Sequence, residues 1–68
     1  MNLKDMQETL AIFGKYCDIS KEYLEADHDE IFFPAIKGVT QEDLVKLKRL
    51  GVYQEDAYDE DEPWKTFT

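Results

Sequence analysis

A chain of 68 residues is long enough for one small domain, so we expect residues 1–68 to form a single domain with a small core. Sixteen acidic against eight basic residues give a formal net charge of −8, which argues against direct binding to nucleic acid or to anionic membranes, because both require clustered Lys and Arg. Cys17 is the only cysteine, which excludes an intrachain disulfide. With no signal-peptide pattern at the N-terminus, we expect a cytoplasmic protein.

The N-terminal segment has the spacing of an amphipathic helix. Five residues recur at intervals of three and four and form one stripe: Leu3, Met6, Leu10, Phe13 and Cys17. Asn2 is placed to cap the start, and we expect the helix to end near Cys17 or Asp18. Because Cys17 lies on this stripe, we predict that its thiol is buried and inert rather than reactive.

Residues 25–33 alternate between apolar and acidic residues, as in a strand with one buried face. The apolar side carries Leu24, Ala26, His28 and Phe32, and the other side carries Glu25, Asp27 and Asp29. Glu30 breaks the alternation. A short helix from Ser20 is an alternative for the residues up to Ala26, and Pro34 ends the strand or marks it as an edge.

The strongest helix signal lies at residues 40–51. Thr40 is a good N-cap, Asp43 stands where a capping box places its acid, and Gly51 can end the helix in the left-handed conformation. The predicted buried stripe consists of Leu44, Leu47 and Leu50.

Two further strands are predicted at residues 52–58 and 64–68, joined by an acidic loop at 59–63. The order is then helix, strand, helix, strand, strand. This order favours an α+β fold in which two helices pack on a small antiparallel sheet of about three strands.

Negative charge is concentrated in two segments. Residues 18–30, the first acidic segment, carry a net charge of −5; residues 55–62, the second acidic segment, carry −6; the rest of the chain carries +3. If the strands involved are neighbours, both segments contribute to one negative surface. The candidate partner-binding residues are Glu25, Asp27, Asp29, Glu55, Asp56, Asp59, Glu60, Asp61, Glu62 and Trp64. The alternative is that these charges only maintain solubility and protect a sheet edge.

No catalytic, cofactor-binding or metal site is predicted. The acidic stretches lack the glycine of a calcium-binding loop, although weak binding of divalent cations is an alternative. Cys17 and His28 are the only soft metal ligands, which is too few for zinc. A Cys–His pair without further catalytic groups does not indicate an enzyme.

Three stretches carry a resemblance: Ala26-Asp27-His28-Asp29-Glu30-Ile31, the capped helix from Val39 to Gly51, and the ending Val52-Tyr53 with Trp64 to Thr68. Together they resemble a group of short, acidic, uncharacterised proteins of bacteriophages and prophage-bearing bacteria. The resemblance covers roughly the last two-thirds of the chain and rests on structural positions, so no functional residue carries over. It implies a phage setting, in which small acidic proteins often resemble inhibitors of host nucleic-acid enzymes, including restriction and CRISPR systems.

We therefore expect a non-enzymatic protein that presents its acidic residues to a basic surface on a host protein. The mode would be that of a DNA mimic or of an anti-CRISPR or anti-restriction inhibitor, acting in the host cytoplasm without a cofactor. The alternative is a structural protein that self-associates, for example as a homodimer, through Phe32, Phe33 and Trp64.

Overall fold

Within residues 1–55 and 61–67, which the computed structural model describes, the chain forms two helices beside a three-stranded sheet. The elements in chain order are α1 (Leu3–Phe13), a 3-10 helix (Ile19–Lys21), β1 (Glu25–Asp27), β2 (Glu30–Phe33), α2 (Gln41–Leu50) and β3 (Trp64–Phe67). The strands lie in the order β1-β2-β3, and both pairings are antiparallel. The predicted α+β class is confirmed, with two strands before α2 and one after it. None of the helices in these two ranges is long and apolar enough to cross a membrane.

Helix α2 begins and ends as its sequence predicts. The Thr40 hydroxyl accepts a hydrogen bond from the Asp43 N–H at 3.2 Å, which satisfies one of the free donors of the first turn. At the other end Gly51 adopts the left-handed conformation with φ 81°. The N–H of Val52 bonds the Leu47 carbonyl at 2.9 Å and that of Gly51 bonds Lys48 at 3.1 Å, which together make a Schellman motif. Leu47 is fully buried, as predicted. Leu44 was also predicted to be buried, but it is 36% exposed and lies outside the core.

Helix α1 is capped by Asn2, whose side chain accepts from the Asp5 N–H at 2.8 Å. The helix is shorter than predicted, because the N–H groups of Lys15 and Tyr16 bond carbonyls three residues back and tighten the chain after Phe13. The predicted stripe is confirmed in part: Phe13 is buried and Met6, Leu10 and Cys17 pack against the core, but Leu3 is 89% exposed. Thr9 and Ile12, which are not on the stripe, are also buried. Thr9 can be buried because its hydroxyl donates to the Asp5 carbonyl at 2.7 Å.

A polar network ties the end of α1 to the start of α2. The Tyr16 hydroxyl accepts from the Thr40 N–H at 3.2 Å and donates to a carboxylate oxygen of Asp43. Lys15 Nζ lies 3.2 Å from the other Asp43 oxygen. In a capping box the Asp43 carboxylate would accept the hydrogen bond from the N–H of Thr40, the N-cap residue. Here the Tyr16 hydroxyl accepts that bond, and the Asp43 carboxylate instead bonds Tyr16 and Lys15.

The predicted strand at 25–33 is a hairpin, not one strand. Chain reversal at His28 and Asp29 pairs Glu25 with Phe32 and Asp27 with Glu30. His28 adopts the left-handed conformation with φ 53°. The prediction failed because the turn contains neither Gly nor Asn, the residues that usually mark such a reversal.

Of the two strands predicted after α2, one is confirmed and the other is confirmed only in part. Residues 64–67 form β3, and Thr68 lies outside the described residues. The described part of the predicted strand 52–58 contributes one isolated bridge between Tyr53 and Lys65. Residues 56–60 of that strand and of the following loop are also outside the described residues.

Aromatic residues join the helices to the sheet. The Phe13 ring stacks on Phe33 with centroids 5.1 Å apart and meets Trp64 edge-on at 6.3 Å. Phe33 and Trp64 are direct cross-strand partners, and both are buried with Leu47. The face of the sheet that carries Phe33 and Trp64 is therefore the inner face. Because side chains alternate along a strand, the intervening residues point away from the helices, on what we call the outer face.

Candidate functional site

Two rows of side chains cross the outer face. The strand register places Glu25, Phe32 and Lys65 in one row, and Asp27, Glu30 and Phe67 in the next. Phe67 is 57% exposed and its ring lies 6.0 Å from that of Tyr53. The outer face thus combines carboxylates with aromatic rings, a composition common at binding surfaces.

Lys65 connects the two acidic segments on this face. Its ammonium group lies 3.3 Å from a carboxylate oxygen of Glu30, in the first segment, and also bonds Glu55, in the second. It lies 5.6 Å from the centroid of the Tyr53 ring, within range of a cation–π interaction. The hydrogen bond from Lys65 to Glu55 and the nearby Glu30 raise the pKa of Lys65, against the effect of its burial. Lys65 is therefore a fixed positive charge that holds one residue of each acidic segment.

A cleft beside the outer face is lined by both acidic segments. It has a volume of about 590 Å³ and is walled by Glu22, Tyr23, Glu25, Phe32, Phe33, Pro34, Ala35, Asp61 and Pro63. We call it the acidic cleft. Tyr23 is 86% exposed at its wall. Neither Glu22 nor Glu25 forms an ion pair within residues 1–55 and 61–67, whereas Asp61 lies 3.6 Å from Lys37 Nζ.

The predicted acidic residues of the first segment fall in two places. Glu25 and Asp27 project from the same side of β1 and are exposed, as predicted. Asp29 does not continue that line, because it lies in the hairpin turn.

The predicted residues of the second segment are also divided. Glu55 is bound to Lys65, Asp61 lines the acidic cleft, and Glu62 is half-buried, with its carbonyl accepting from Gln54 Nε2 at 2.9 Å. Asp56, Asp59 and Glu60 lie outside the described residues. The structure therefore brings described residues of the two segments together at Lys65 and at the cleft.

The placement of Trp64 on a binding surface is wrong. Trp64 is 6% exposed and packs in the core against Phe13, because it points to the inner face of β3. The predicted self-association surface is smaller than expected for the same reason. Of its three residues, Phe33 is 2% exposed and only Phe32, which is half-buried on the outer face, is available for contact.

Sequence reasoning missed Glu22, Tyr23, Glu30 and Lys65 as members of this surface. Glu30 carried a signal, since it was the residue that broke the alternation of 25–33. A two-residue reversal moves the outward-facing positions from odd to even numbers, so Glu30 and Phe32 share the outer face with Glu25 and Asp27. No local signal marks Lys65, because its partners are distant in sequence.

The two soft ligands, His28 and Cys17, have different surroundings: His28 Nε2 lies 3.6 Å from Asp27 Oδ1 at the hairpin turn, and Cys17 follows α1. His28 is not on an apolar side, since its side chain is 91% exposed in the turn. Cys17 is half-buried, and its thiol lies 3.3 Å from the Phe13 carbonyl. Burial, with the negative charges of Glu22 and Asp18, raises the pKa of the Cys17 thiol, which disfavours the reactive thiolate. Among residues 1–55 and 61–67 no group of three His, Cys, Asp or Glu side chains is arranged to hold a metal ion.

The arrangement is suited to binding cationic groups. Carboxylates at the rim attract a guanidinium or ammonium group, and the faces of Tyr23 and Phe32 offer it an aromatic surface. The cleft is large enough for a side chain or a small ligand.

Comparisons of the chain with protein-family models, with curated proteins and with solved structures gave no match.

Proposed function

We propose that this protein is a non-enzymatic binding module whose acidic cleft and outer face contact a basic surface on another protein. The partner class is a nucleic-acid-binding or defence protein of a host cell, and the site of action is the host cytoplasm. The setting follows from the resemblance to phage proteins, and the binding chemistry follows from the surface described above. Blocking a basic groove would make the protein an inhibitor of the DNA-mimic or anti-CRISPR type.

This proposal rests on the observation that residues of the two acidic segments lie close together. Charges that only maintain solubility need no common location, yet Glu22 and Glu25 share one cleft with Asp61, about 40 residues later in the chain. A second junction joins Glu30 and Glu55 through Lys65. The same surface therefore draws on both segments at two points.

The chemistry of the cleft favours arginine or lysine side chains as the groups bound. A guanidinium group can pair with a carboxylate while it stacks on an aromatic ring. Tyr23 is exposed beside two carboxylates that make no ion pair with a described residue, Glu22 and Glu25. These residues offer both kinds of contact.

The spacing of carboxylates on β1 fits a partner that ordinarily binds phosphates. Residues two apart on one strand face are about 6.7 Å apart, near twice the ~3.4 Å axial spacing of phosphates along one DNA strand. Glu25 and Asp27 have this relation and are exposed on the outer face. A groove lined with Lys and Arg would meet two carboxylates there at about this spacing.

Capture of host proteins by the immobilised protein tests the proposal. We expect captured proteins to have basic surfaces and to dissociate as salt is raised. The variant Glu22→Gln/Glu25→Gln should weaken binding to the purified partner by at least about tenfold. The matched control Glu8→Gln/Glu42→Gln removes the same amount of charge from the helices and should bind like the wild type.

Three results would count against the proposal. They are capture of neutral or acidic partners, binding that is indifferent to salt, and equal weakening by both double variants. The last result would mean that only net charge matters. A single Asp61→Asn variant, compared with the wild type, reports whether the second acidic segment takes part.

A further inference from the structure

A second concavity lies between the two helices and has the opposite charge. It has a volume of about 360 Å³, and its lining includes Lys15, Lys46 and Arg49. These are three of only eight basic residues in a chain with a net charge of −8. Glu8 is the one acidic residue in the lining. We call this concavity the helical groove.

The three cations differ in what they already bind. Lys15 lies 3.2 Å from Asp43, and Lys46 lies 3.4 Å from Glu42, so acidic neighbours hold both ammonium groups in place. Arg49 forms no ion pair within residues 1–55 and 61–67. Its guanidinium group therefore keeps its donors for a ligand, and a carboxylate is the monovalent anion that matches its planar geometry.

The floor of the groove is apolar. Ile12 is 6% exposed, Leu50 is half-buried, and Ala11 is exposed. Since Ala11 has no side chain beyond Cβ, it leaves open the space that a larger residue would fill. A ligand for this groove needs an apolar part for the floor and a negative group for the rim.

The size and charge of the groove select the class of ligand. A volume of about 360 Å³ falls in the range of small-molecule sites. A net charge of −8 disfavours nucleic acid and anionic membranes. We propose that the helical groove binds a small organic carboxylate with an apolar chain, with Arg49 pairing the carboxylate and Ala11, Ile12 and Leu50 contacting the chain.

Titration of the labelled protein with octanoate, followed by its amide NMR spectrum, tests this site. We expect saturable shifts that are largest at residues of the groove. Arg49→Gln should weaken octanoate binding about threefold to tenfold. Ala11→Leu should abolish it by filling the groove, with the rest of the spectrum showing that the protein remains folded. Glu8→Gln should strengthen it.

Lys48→Gln is the matched control, since Lys48 is an exposed residue of α2 that does not line the groove. It removes one positive charge, as Arg49→Gln does, and should leave octanoate binding unchanged. The proposal is overturned if Lys48→Gln weakens binding as much as Arg49→Gln. Binding of uncharged octanol as tightly as octanoate, or shifts that spread over the whole surface without saturation, would also overturn it.

Discussion

Asp43 carries a charge in an almost closed environment at the junction of the helices. Its side chain is 4% exposed and is bound by Tyr16 and Lys15, which lie in the turn that follows α1. The hydrogen bond from Tyr16 lowers the pKa of Asp43 most; burial acts in the opposite direction, and Lys15 lowers the pKa further. The ionised form of Asp43 is therefore linked to the packing of α1 on α2.

We predict that Asp43→Asn lowers the melting temperature at neutral pH and reduces the loss of stability in acid. A carboxyl whose pKa is lower in the folded state stabilises the fold above its ordinary pKa of 3.8 and loses that effect as pH falls through the folded-state value. Asparagine does not titrate, so the variant should lack this part of the acid dependence. Melting temperatures measured across the acid range check it.

Glu42→Gln is the control for this prediction. Glu42 lies next to Asp43 in the chain, but its side chain is 79% exposed in a pair with Lys46, where charge contributes little. Its melting profile should follow the wild type. Parallel acid profiles for Asp43→Asn and the wild type would contradict the role given to Asp43.

Gly51 shows how one residue determines the end of an element. It adopts φ 81°, and a Cβ there would lie 3.7 Å from Thr66 Oγ1, which is an ordinary contact. The cost of a side chain at this position therefore comes from the backbone conformation and not from a clash.

We predict that Gly51→Ala reduces the free energy of unfolding by about 1 to 2 kcal/mol, because L-residues are strained in the left-handed region. Asn tolerates that region better than Ala, so Gly51→Asn should lose less. Urea denaturation of the two variants measures both values. Equal losses would indicate that the Schellman motif is not the cause.

The elements differ in how well their sequences predict them. Helix α2 was predicted because Thr40 and Gly51, which start and end it, act on their near neighbours. The hairpin was missed because its turn, at His28 and Asp29, contains neither Gly nor Asn, and the break in alternation at Glu30 was the only signal of it. Helix α1 ended early because the N–H groups of Lys15 and Tyr16 bond carbonyls three residues back, a change that the spacing of apolar residues does not encode.

The same distinction applies to the candidate site. That Glu25 and Asp27 share a side follows from strand periodicity and was predicted. Tyr23 and Lys65 were missed, because their roles depend on contacts between residues far apart in the chain. Trp64 was misplaced because an aromatic residue near an acidic loop is equally compatible with a core position and an interface position.

At the scale of the whole molecule, two concavities carry charges of opposite sign. Glu22, Glu25 and Asp61 line the acidic cleft, whereas Lys15, Lys46 and Arg49 line the helical groove together with Glu8. If the proposed function is correct, this separation of charge would orient the protein as it approaches a basic partner and make association faster at low salt. The central claim is that residues of the two acidic segments form one binding surface.

The most direct test of that claim is an NMR titration of the labelled protein with a short arginine-rich peptide. We predict that the amides of residues 22–25 and of residues 61 and 62 shift with one common dissociation constant. We also predict that Glu25→Gln weakens the affinity reported by residues 61 and 62, whereas the control Glu42→Gln does not. Two different dissociation constants, or an affinity at residues 61 and 62 that is unchanged in Glu25→Gln, would contradict a shared surface.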